Sequence, residues 1–229
     1  MKFDYKIHDE TLTKVTEQLD LGVIIDNELS FVPQVRKVIK SCNQRIGMIK
    51  RNFRFLNAEV KIKMYNAYVP SIINYCSSVW RPRTRGSILE LEHIQRTFSR
   101  FLVFDPNIGY QDRISSVNMS TIVVNHTILD LLNIYKSTRS YYRFSDYFQS
   151  EFQFVLTSNM RRSNRTNHST SLFPMTNSIP WLKYSIPLWN KLSLYTVSAK
   201  SVRAFKQRLI NHDMQTIQKS CESITNQLS

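Results

Sequence analysis

One stretch of the chain, residues 31–54, constrains the fold most strongly, because its apolar and basic residues separate at a helical period. At about 100° per residue, its main apolar side chains fall within an arc of about 80°. These apolar residues are Phe31, Val35, Val38, Cys42, Ile46, Ile49 and Phe53. The pattern predicts a long amphipathic helix whose apolar face lies in a hydrophobic core.

The opposite face of this predicted helix is basic. It carries Arg36, Lys37, Lys40, Lys50, Arg51 and Arg54, with Arg45 near the boundary between the faces. No acidic residue lies between Glu28 and Glu59. Helix faces in water usually mix both signs, because like charges four residues apart repel each other. A row of cations about 27 Å long therefore predicts phosphate contacts, with an ordinary basic surface as the alternative.

Two further helices are expected to complete a three-helix bundle over residues 31–104. Asn57 is a suitable N-cap for the second helix, which Pro70 should kink. Residues 87–90, Ser-Ile-Leu-Glu, have the capping-box pattern that would open the third. The intervening turn supplies the other candidate phosphate-binding side chains. These candidates are Arg81, Arg83 and Arg85.

The remaining chain predicts more helices and one basic linker. Helices are expected over residues 105–145, including one that starts near Ser120. From Phe152 to His212 the chain has no acidic residue, and residues 158–171 have no periodicity. Residues 146–197 are therefore predicted to form a basic, partly disordered linker. Ser198 is expected to cap a last helix in a segment, 198–229, that ends in a frayed tail.

Residues 1–30 have the alternation typical of short strands. Apolar and polar residues alternate from Phe3 to Ile7, and residues 21–25 resemble a buried strand. So few strands do not form a stable sheet alone. They predict either the edge of a larger sheet or a small hairpin that caps the helices. The fold expected for the whole chain is mainly α, with a short N-terminal β-hairpin, a helical bundle, and a C-terminal helical region with long loops.

The composition indicates a folded protein with an anionic partner. Hydrophobic residues make up 42% of the chain, which argues against wholesale disorder. Only four glycines and seven prolines argue against a loop-rich β-sandwich. The net charge of +14 points to a polyanion such as nucleic acid, although charge alone is also compatible with a merely soluble basic surface.

No motif for independent catalysis is present. Cys42, Cys76 and Cys221 are far apart, and the five histidines lack metal-ligand spacing. There is no glycine-rich phosphate loop and no nucleophile elbow. We therefore predict no catalytic residue, metal or cofactor. The start of the chain does not resemble a signal peptide, and no apolar run approaches about 18 residues. We expect no membrane contact and an intracellular protein, cytoplasmic or nuclear.

Several short motifs occur in an order that resembles one known family. Residues 21–31 resemble Leu-Gly-Val-x-Ile-Asp-x-x-Leu-x-Phe, and residues 45–51 resemble Arg-x-Gly-x-Ile-x-Arg. Residues 65–70 and 73–80 resemble a Tyr, Val-x-Pro-x-x-x-Tyr-x-x-x-Val-Trp pattern, and residues 92–96 resemble Glu-x-x-Gln-Arg. Residues 188–192 and 201–209 resemble Trp-Asn-x-Leu-Pro and Ser-x-x-x-Phe-Lys-x-x-Leu. Together these motifs resemble the end of a non-LTR (LINE-type, jockey/CR1/RTE-like) retrotransposon reverse transcriptase.

The resemblance implies that residues 1–30 are the end of the palm, that residues 31–104 are the thumb, and that a helical region follows. It implies a grip on an RNA/DNA duplex or RNA through backbone phosphates. The family's catalytic aspartates hold Mg²⁺, but this chain has no Asp-Asp pair, and Ser193 replaces a family proline. We therefore expect a truncated reverse-transcriptase-like protein that is not an enzyme by itself. In that case Mg²⁺ belongs only to the complete polymerase, and a separate palm and fingers polypeptide is a candidate partner. The alternative is a stand-alone helical protein-interaction module, or the inert product of a decayed element.

Overall fold

The computed structural model describes residues 6–8, 10–11, 13–82, 84–139, 152–154, 172–174 and 182–226. Its strands form three antiparallel pairs. They are β1 (Lys6–Ile7) with β2 (Glu10–Thr11), β3 (Glu17–Asp20) with β4 (Val23–Asp26), and β5 (Phe152–Phe154) with β6 (Leu172–Pro174). Short hairpins and many helices confirm the predicted mainly α fold with N-terminal β structure.

The helices follow one another closely along the chain. The first seven are α1 (Val32–Asn52), α2 (Ala58–Tyr68), α3 (Pro70–Asn74), α4 (Ser77–Trp80), α5 (Arg85–Leu102), α6 (Tyr110–Ser116) and α7 (Ile122–Thr138). The others are α8 (Leu182–Trp189), α9 (Leu194–Val197), α10 (Val202–Arg208) and α11 (Met214–Asn226), with a π-helical turn at Leu209–Asp213. None of the described helices is both long and apolar enough to cross a bilayer.

The first hydrophobic core forms around α1, as its periodicity predicts. Every apolar residue of the predicted stripe from Phe31 to Ile49 is buried, and Phe53 is half-buried. These side chains pack with residues of α2 to α5, among them Tyr65, Trp80 and Phe98. The rings of Tyr65 and Phe98 stack with centroids 4.3 Å apart. The first core therefore fixes which face of α1 meets solvent.

The second predicted helix is divided into three short ones. Asn57 caps α2 as expected, since its side chain accepts a hydrogen bond from the Val60 N–H at 3.0 Å. Pro70 begins α3, because its ring cannot continue the helix before it. A second break at Cys76, whose φ is 50°, was not predicted. The predicted capping box at Ser87 is wrong: α5 begins at Arg85, and Thr84 is its cap.

A second hydrophobic core joins α7 to the C-terminal helices. It buries Tyr135 from α7, Trp189 from α8 and Phe205 from α10. The linker prediction for residues 146–197 therefore does not hold for residues 182–197, which are helical and largely buried. The cap of α10 is Ser201 rather than the predicted Ser198, because the Ser201 side chain accepts from the Ala204 N–H. The other residues of the predicted linker lie outside the described ranges, except β5 and β6.

The hairpin of β3 and β4 lies against the start of α1. Val23 of β4 is buried in the first core, whereas all of β3 is exposed. The Ile24 N–H donates to the Gln34 side chain at 2.9 Å, and the Tyr75 hydroxyl donates to the Leu21 carbonyl at 2.8 Å. The hairpin therefore caps the helices, which is one of the two arrangements that the sequence left open. Whether it also belongs to a larger sheet stays a prediction.

Candidate nucleic-acid interface

The direction of α1 is set by a carboxylate at the end of β4. Asp26 accepts hydrogen bonds from the N–H groups of Ser30 at 3.0 Å and Phe31 at 2.7 Å. These bonds lower the pKa of Asp26, that from Ser30 most strongly. Phe31 is the N-cap, at a φ of 57°, and has no capping side chain of its own. Asp26 therefore supplies the polar partner for the entry into α1.

The exposed side of α1 carries the predicted cations. Arg36, Lys40, Arg45 and Arg51 are exposed on α1. Arg54 is also exposed, but it lies in the link after α1, because the helix ends at Asn52 rather than at residue 54 as predicted. The described residues contain two ion pairs, Glu59 with Lys63 and Arg81 with Asp130. Neither pair involves a cation of the α1 row. The row is therefore free of acidic partners within the part of the chain that the structure describes.

Two lysines of the predicted row are half-buried and make contacts within the protein. The Lys37 ammonium group donates to the Gly22 carbonyl at 2.8 Å, which ties α1 to the turn between β3 and β4. The Lys50 ammonium group lies 5.7 Å from the centre of the Phe101 ring. Neither contact neutralises the charge, so both lysines still contribute positive potential beside the exposed arginines.

Gly47 lies on the basic side of α1 without close packing. A Cβ atom added there would meet only the Arg51 guanidinium, at 3.6 Å, which is an ordinary contact distance. A glycine in the middle of a helix often allows another element to pack closely, but no element packs closely against Gly47.

Gly47→Ala is expected to raise the free energy of unfolding by about 0.5–1 kcal/mol, because alanine lowers the entropy of the unfolded chain and favours the helix. Urea denaturation followed by circular dichroism would measure the change. A loss of stability would show that the space around Gly47 is tighter than the structure indicates.

The arginines of the turn before α5 do not act together. The Arg81 guanidinium faces inwards, where it pairs with buried Asp130 and donates to the Thr127 hydroxyl at 3.0 Å. The side chain of Arg81 is only 17% exposed, so we remove it from the candidate interface. Arg85 is exposed at the start of α5. Arg83 lies outside the described residues, and its predicted role stays a prediction.

One end of the bundle combines cations with aromatic rings. Lys50, near the end of α1, and Lys61, near the start of α2, both lie over the Phe101 ring, Lys61 at 4.5 Å. In the link between α1 and α2, Phe55 is 94% exposed and the Arg54 guanidinium lies 5.8 Å from its ring centre. Sequence reasoning missed Phe55. The sequence does contain a signal for it, because Arg54 and Phe55 are adjacent in the short link that ends at the N-cap Asn57.

The buried ionisable groups stabilise the helix arrangement. Glu92 of α5 accepts from the Tyr110 hydroxyl and from the N–H groups of Ile122 and Val123 at the start of α7. Burial raises the pKa of Glu92, although these bonds lower it. The His126 imidazole donates a hydrogen bond to the Ile73 carbonyl at 3.1 Å, and burial lowers the pKa of His126 to about 3. Both groups have structural partners that account for their positions.

A polar cavity of about 210 Å³ lies between α2, α3 and the segment before α7. Its lining includes Asn66, Asn74, Asn118 and Asn125 but no carboxylate, imidazole or thiol. Its polar groups are therefore side-chain amides together with Tyr65 and Ser120, which carry hydroxyl groups. Within the described ranges, no group of three His, Cys, Asp or Glu side chains is placed to hold a metal ion.

Comparison with known proteins provides one sequence relative and no functional assignment. An uncharacterized protein of Caenorhabditis elegans is 30% identical over 131 residues. The match covers 56% of this chain and 66% of the relative, so the chain spans just under two thirds of that protein's length. No family model matches the chain, and no solved structure matches it. The chain is thus similar to a worm protein whose name states no activity.

Proposed function

We propose that this chain is a nucleic-acid-binding, thumb-like part of a non-LTR reverse-transcriptase-like protein. It holds an RNA/DNA duplex, or RNA, through backbone phosphates and does not catalyse polymerisation by itself. A separate palm and fingers polypeptide would supply the catalytic aspartates and Mg²⁺. The observation that carries the proposal is the row of exposed cations formed by Arg36, Lys40 and Arg51 on α1 and by Arg54 just after it, which have no acidic partner among the residues that the structure describes.

The basic face of α1 suits the backbone of a nucleic acid. Its charges extend over about 23 Å from Arg36 to Arg51, at 1.5 Å per residue, and Arg54 follows in the link after the helix. A duplex presents phosphates along a comparable length, and Lys and Arg contacts with them release condensed counterions. Such contacts position a protein without reading the base sequence. We therefore expect binding with little sequence preference.

The rigidity of α1 supports the same conclusion. Its apolar face is held by the first core, its start is fixed by Asp26, and Lys37 ties it to the hairpin. Charged side chains on a fixed helix lose less freedom on binding than side chains on a mobile loop. The helix therefore presents its cations in nearly the geometry in which phosphates would meet them.

Replacing Arg36, Lys40 and Arg51 with glutamate should weaken binding to a labelled RNA/DNA duplex on the order of 100-fold near 0.1 M salt. If each residue contacts one phosphate, the slope of log affinity against log salt should become less steep by about 2.7, since each contact contributes about 0.9 on B-form DNA. Fluorescence anisotropy over a salt series measures both quantities. Circular dichroism checks that the variant is folded.

A matched control variant carries the same charge change on the exposed surface of the C-terminal helices, which form the second core with α7. Lys200, Arg203 and Lys206 are exposed at and before α10, so their replacement with glutamate alters net charge equally. This control should retain most of the wild-type affinity and salt dependence. Equal weakening by both variants would mean that total charge matters rather than the α1 face. Weak, salt-insensitive binding by the wild-type protein would instead favour the alternative of a helical protein-interaction module.

A further inference from the structure

The Phe55 ring is exposed to solvent and does not help to hold the fold together. Its side chain is 94% exposed in the short link between α1 and α2. Burying a phenylalanine contributes roughly 1.5–3 kcal/mol, and this ring forgoes that contribution. The neighbouring Phe53 is half-buried against the first core, so the link does have access to apolar surroundings. The exposed ring is therefore available to a ligand.

The surroundings of Phe55 are strongly basic. Arg54 lies beside its ring, at 5.8 Å, and is the last cation of the α1 row. Lys50 and Lys61 meet at the Phe101 ring, which places the ends of α1 and α5 and the start of α2 at the same end of the bundle. Phe104, which is 96% exposed, follows the end of α5 and so lies at this end too. Exposed aromatic rings and cations thus occur together where the basic row ends.

We propose that Phe55, with Arg54, forms a stacking platform for an unpaired nucleobase next to the duplex held by α1. This inference rests on the proposed function and specifies its ligand as a duplex with a single-stranded extension. Every base has a π-face, so an aromatic ring can hold an unpaired base whatever its identity. The guanidinium of Arg54 can stack on a base or bind the adjoining phosphate.

Charge and size favour a nucleic acid over a lipid surface at this end of the bundle. The large exposed apolar side chains at this end are Phe55, part of Leu56 and, after α5, Phe104. Peripheral membrane helices instead present an extended apolar face. The cations here follow directly on those of the α1 row, which suits a phosphate backbone. A base continuing beyond the duplex would reach the ring at the end of that row.

The test compares two labelled RNA/DNA duplexes, one blunt and one with a short single-stranded overhang of mixed sequence. Phe55→Ala should weaken binding to the overhang duplex by about 5- to 100-fold, the range expected for the loss of base–aromatic stacking. Binding to the blunt duplex should stay unchanged, and the salt dependence should be retained because no phosphate contact is removed. Phe55→Trp should preserve the affinity for the overhang duplex, and Phe55→Leu should not, because leucine has no π-face.

Tyr184→Ala is the control for loss of an exposed aromatic ring elsewhere. Tyr184 lies on α8 in the second core region and is 60% exposed. The Tyr184→Ala substitution should leave the affinities for the blunt duplex and for the overhang duplex unchanged. If Phe55→Leu bound the overhang duplex with wild-type affinity, the stacking proposal would be overturned, because apolar contact would then suffice. Loss of binding to phosphatidylserine-containing vesicles in Phe55→Ala, with unchanged binding to the overhang duplex, would overturn it too.

The two proposals fail in different ways. If neither duplex binds with steep salt dependence, the proposed function fails and the stacking site fails with it. If both duplexes bind with steep salt dependence and Phe55→Ala binds the overhang as wild type does, only the stacking site is overturned.

Discussion

Asp130→Ala is expected to lower the free energy of unfolding by about 3–5 kcal/mol at pH 7, because it leaves the Arg81 guanidinium largely buried without its partner. Asp130 is itself buried and accepts hydrogen bonds from Arg81, from Ser78 at 3.2 Å and from Ser185 at 3.5 Å. The carboxylate therefore links α4, α7 and α8. Urea denaturation of the variant and the wild-type protein would give the difference.

The double variant Arg81→Met, Asp130→Leu is the matched control. It removes both charges and keeps apolar volume, so it should be less destabilised than Asp130→Ala alone. A cost within about 1 kcal/mol for Asp130→Ala would mean that Arg81 finds another partner or reaches water. That result would also return Arg81 to the candidate phosphate-binding residues.

The free energy of unfolding of Asp130→Asn, measured over a range of pH, tests the charge of Asp130 separately from its packing. Burial raises the pKa of Asp130 to about 6 from an ordinary value of 3.8, although Arg81 opposes the shift. The folded state therefore binds this proton more tightly than the unfolded state. Proton binding at Asp130 therefore adds to the free energy of unfolding in full below pH 3.8, and this addition is lost as the pH rises through about 6. Asparagine does not titrate, so the stability of the wild-type protein relative to Asp130→Asn should fall over that interval.

Sequence periodicity predicted α1 and its two faces because both depend on positions within one helix. The apolar residues of the stripe from Phe31 to Ile49 are buried as their spacing required, and Arg36 and Arg51 are exposed on the basic side. Short-range capping was less reliable. Thr84 caps α5 although Ser87 had the capping-box pattern, because the chain reaches helical geometry already at Arg85.

The partners of the polar residues could not be predicted, because they come from distant parts of the chain. The sequence predicts Arg81 as a phosphate ligand, but in the fold Arg81 pairs with Asp130, 49 residues away. Glu92 bonds the start of α7, 30 residues away, for the same reason. The helices at 182–197 were missed since their apolar residues stand next to a long polar segment that dominated the composition.

Trp189→Ala should lower the free energy of unfolding by about 3–5 kcal/mol, the usual cost of removing a large buried aromatic side chain. Trp189 is buried, and its ring centre lies 5.7 Å from that of Phe205. Phe205 in turn stacks on Tyr135 of α7 at 4.3 Å. Loss of the indole would therefore leave a cavity at the centre of the second core. Urea denaturation followed by circular dichroism would measure the cost.

The same variant shows whether the two cores unfold together. Helix α7 contributes Ile122 to the first core and Tyr135 to the second, and Glu92 of α5 holds its start. Damage at Trp189 should therefore also increase hydrogen exchange of the α1 amides, by the factor that corresponds to the lost stability. Tyr184→Ala, on the same helix but exposed, should change stability by less than about 0.5 kcal/mol. Unchanged exchange in α1 would show that the first core is stable by itself, and the basic face could then be studied as an isolated domain.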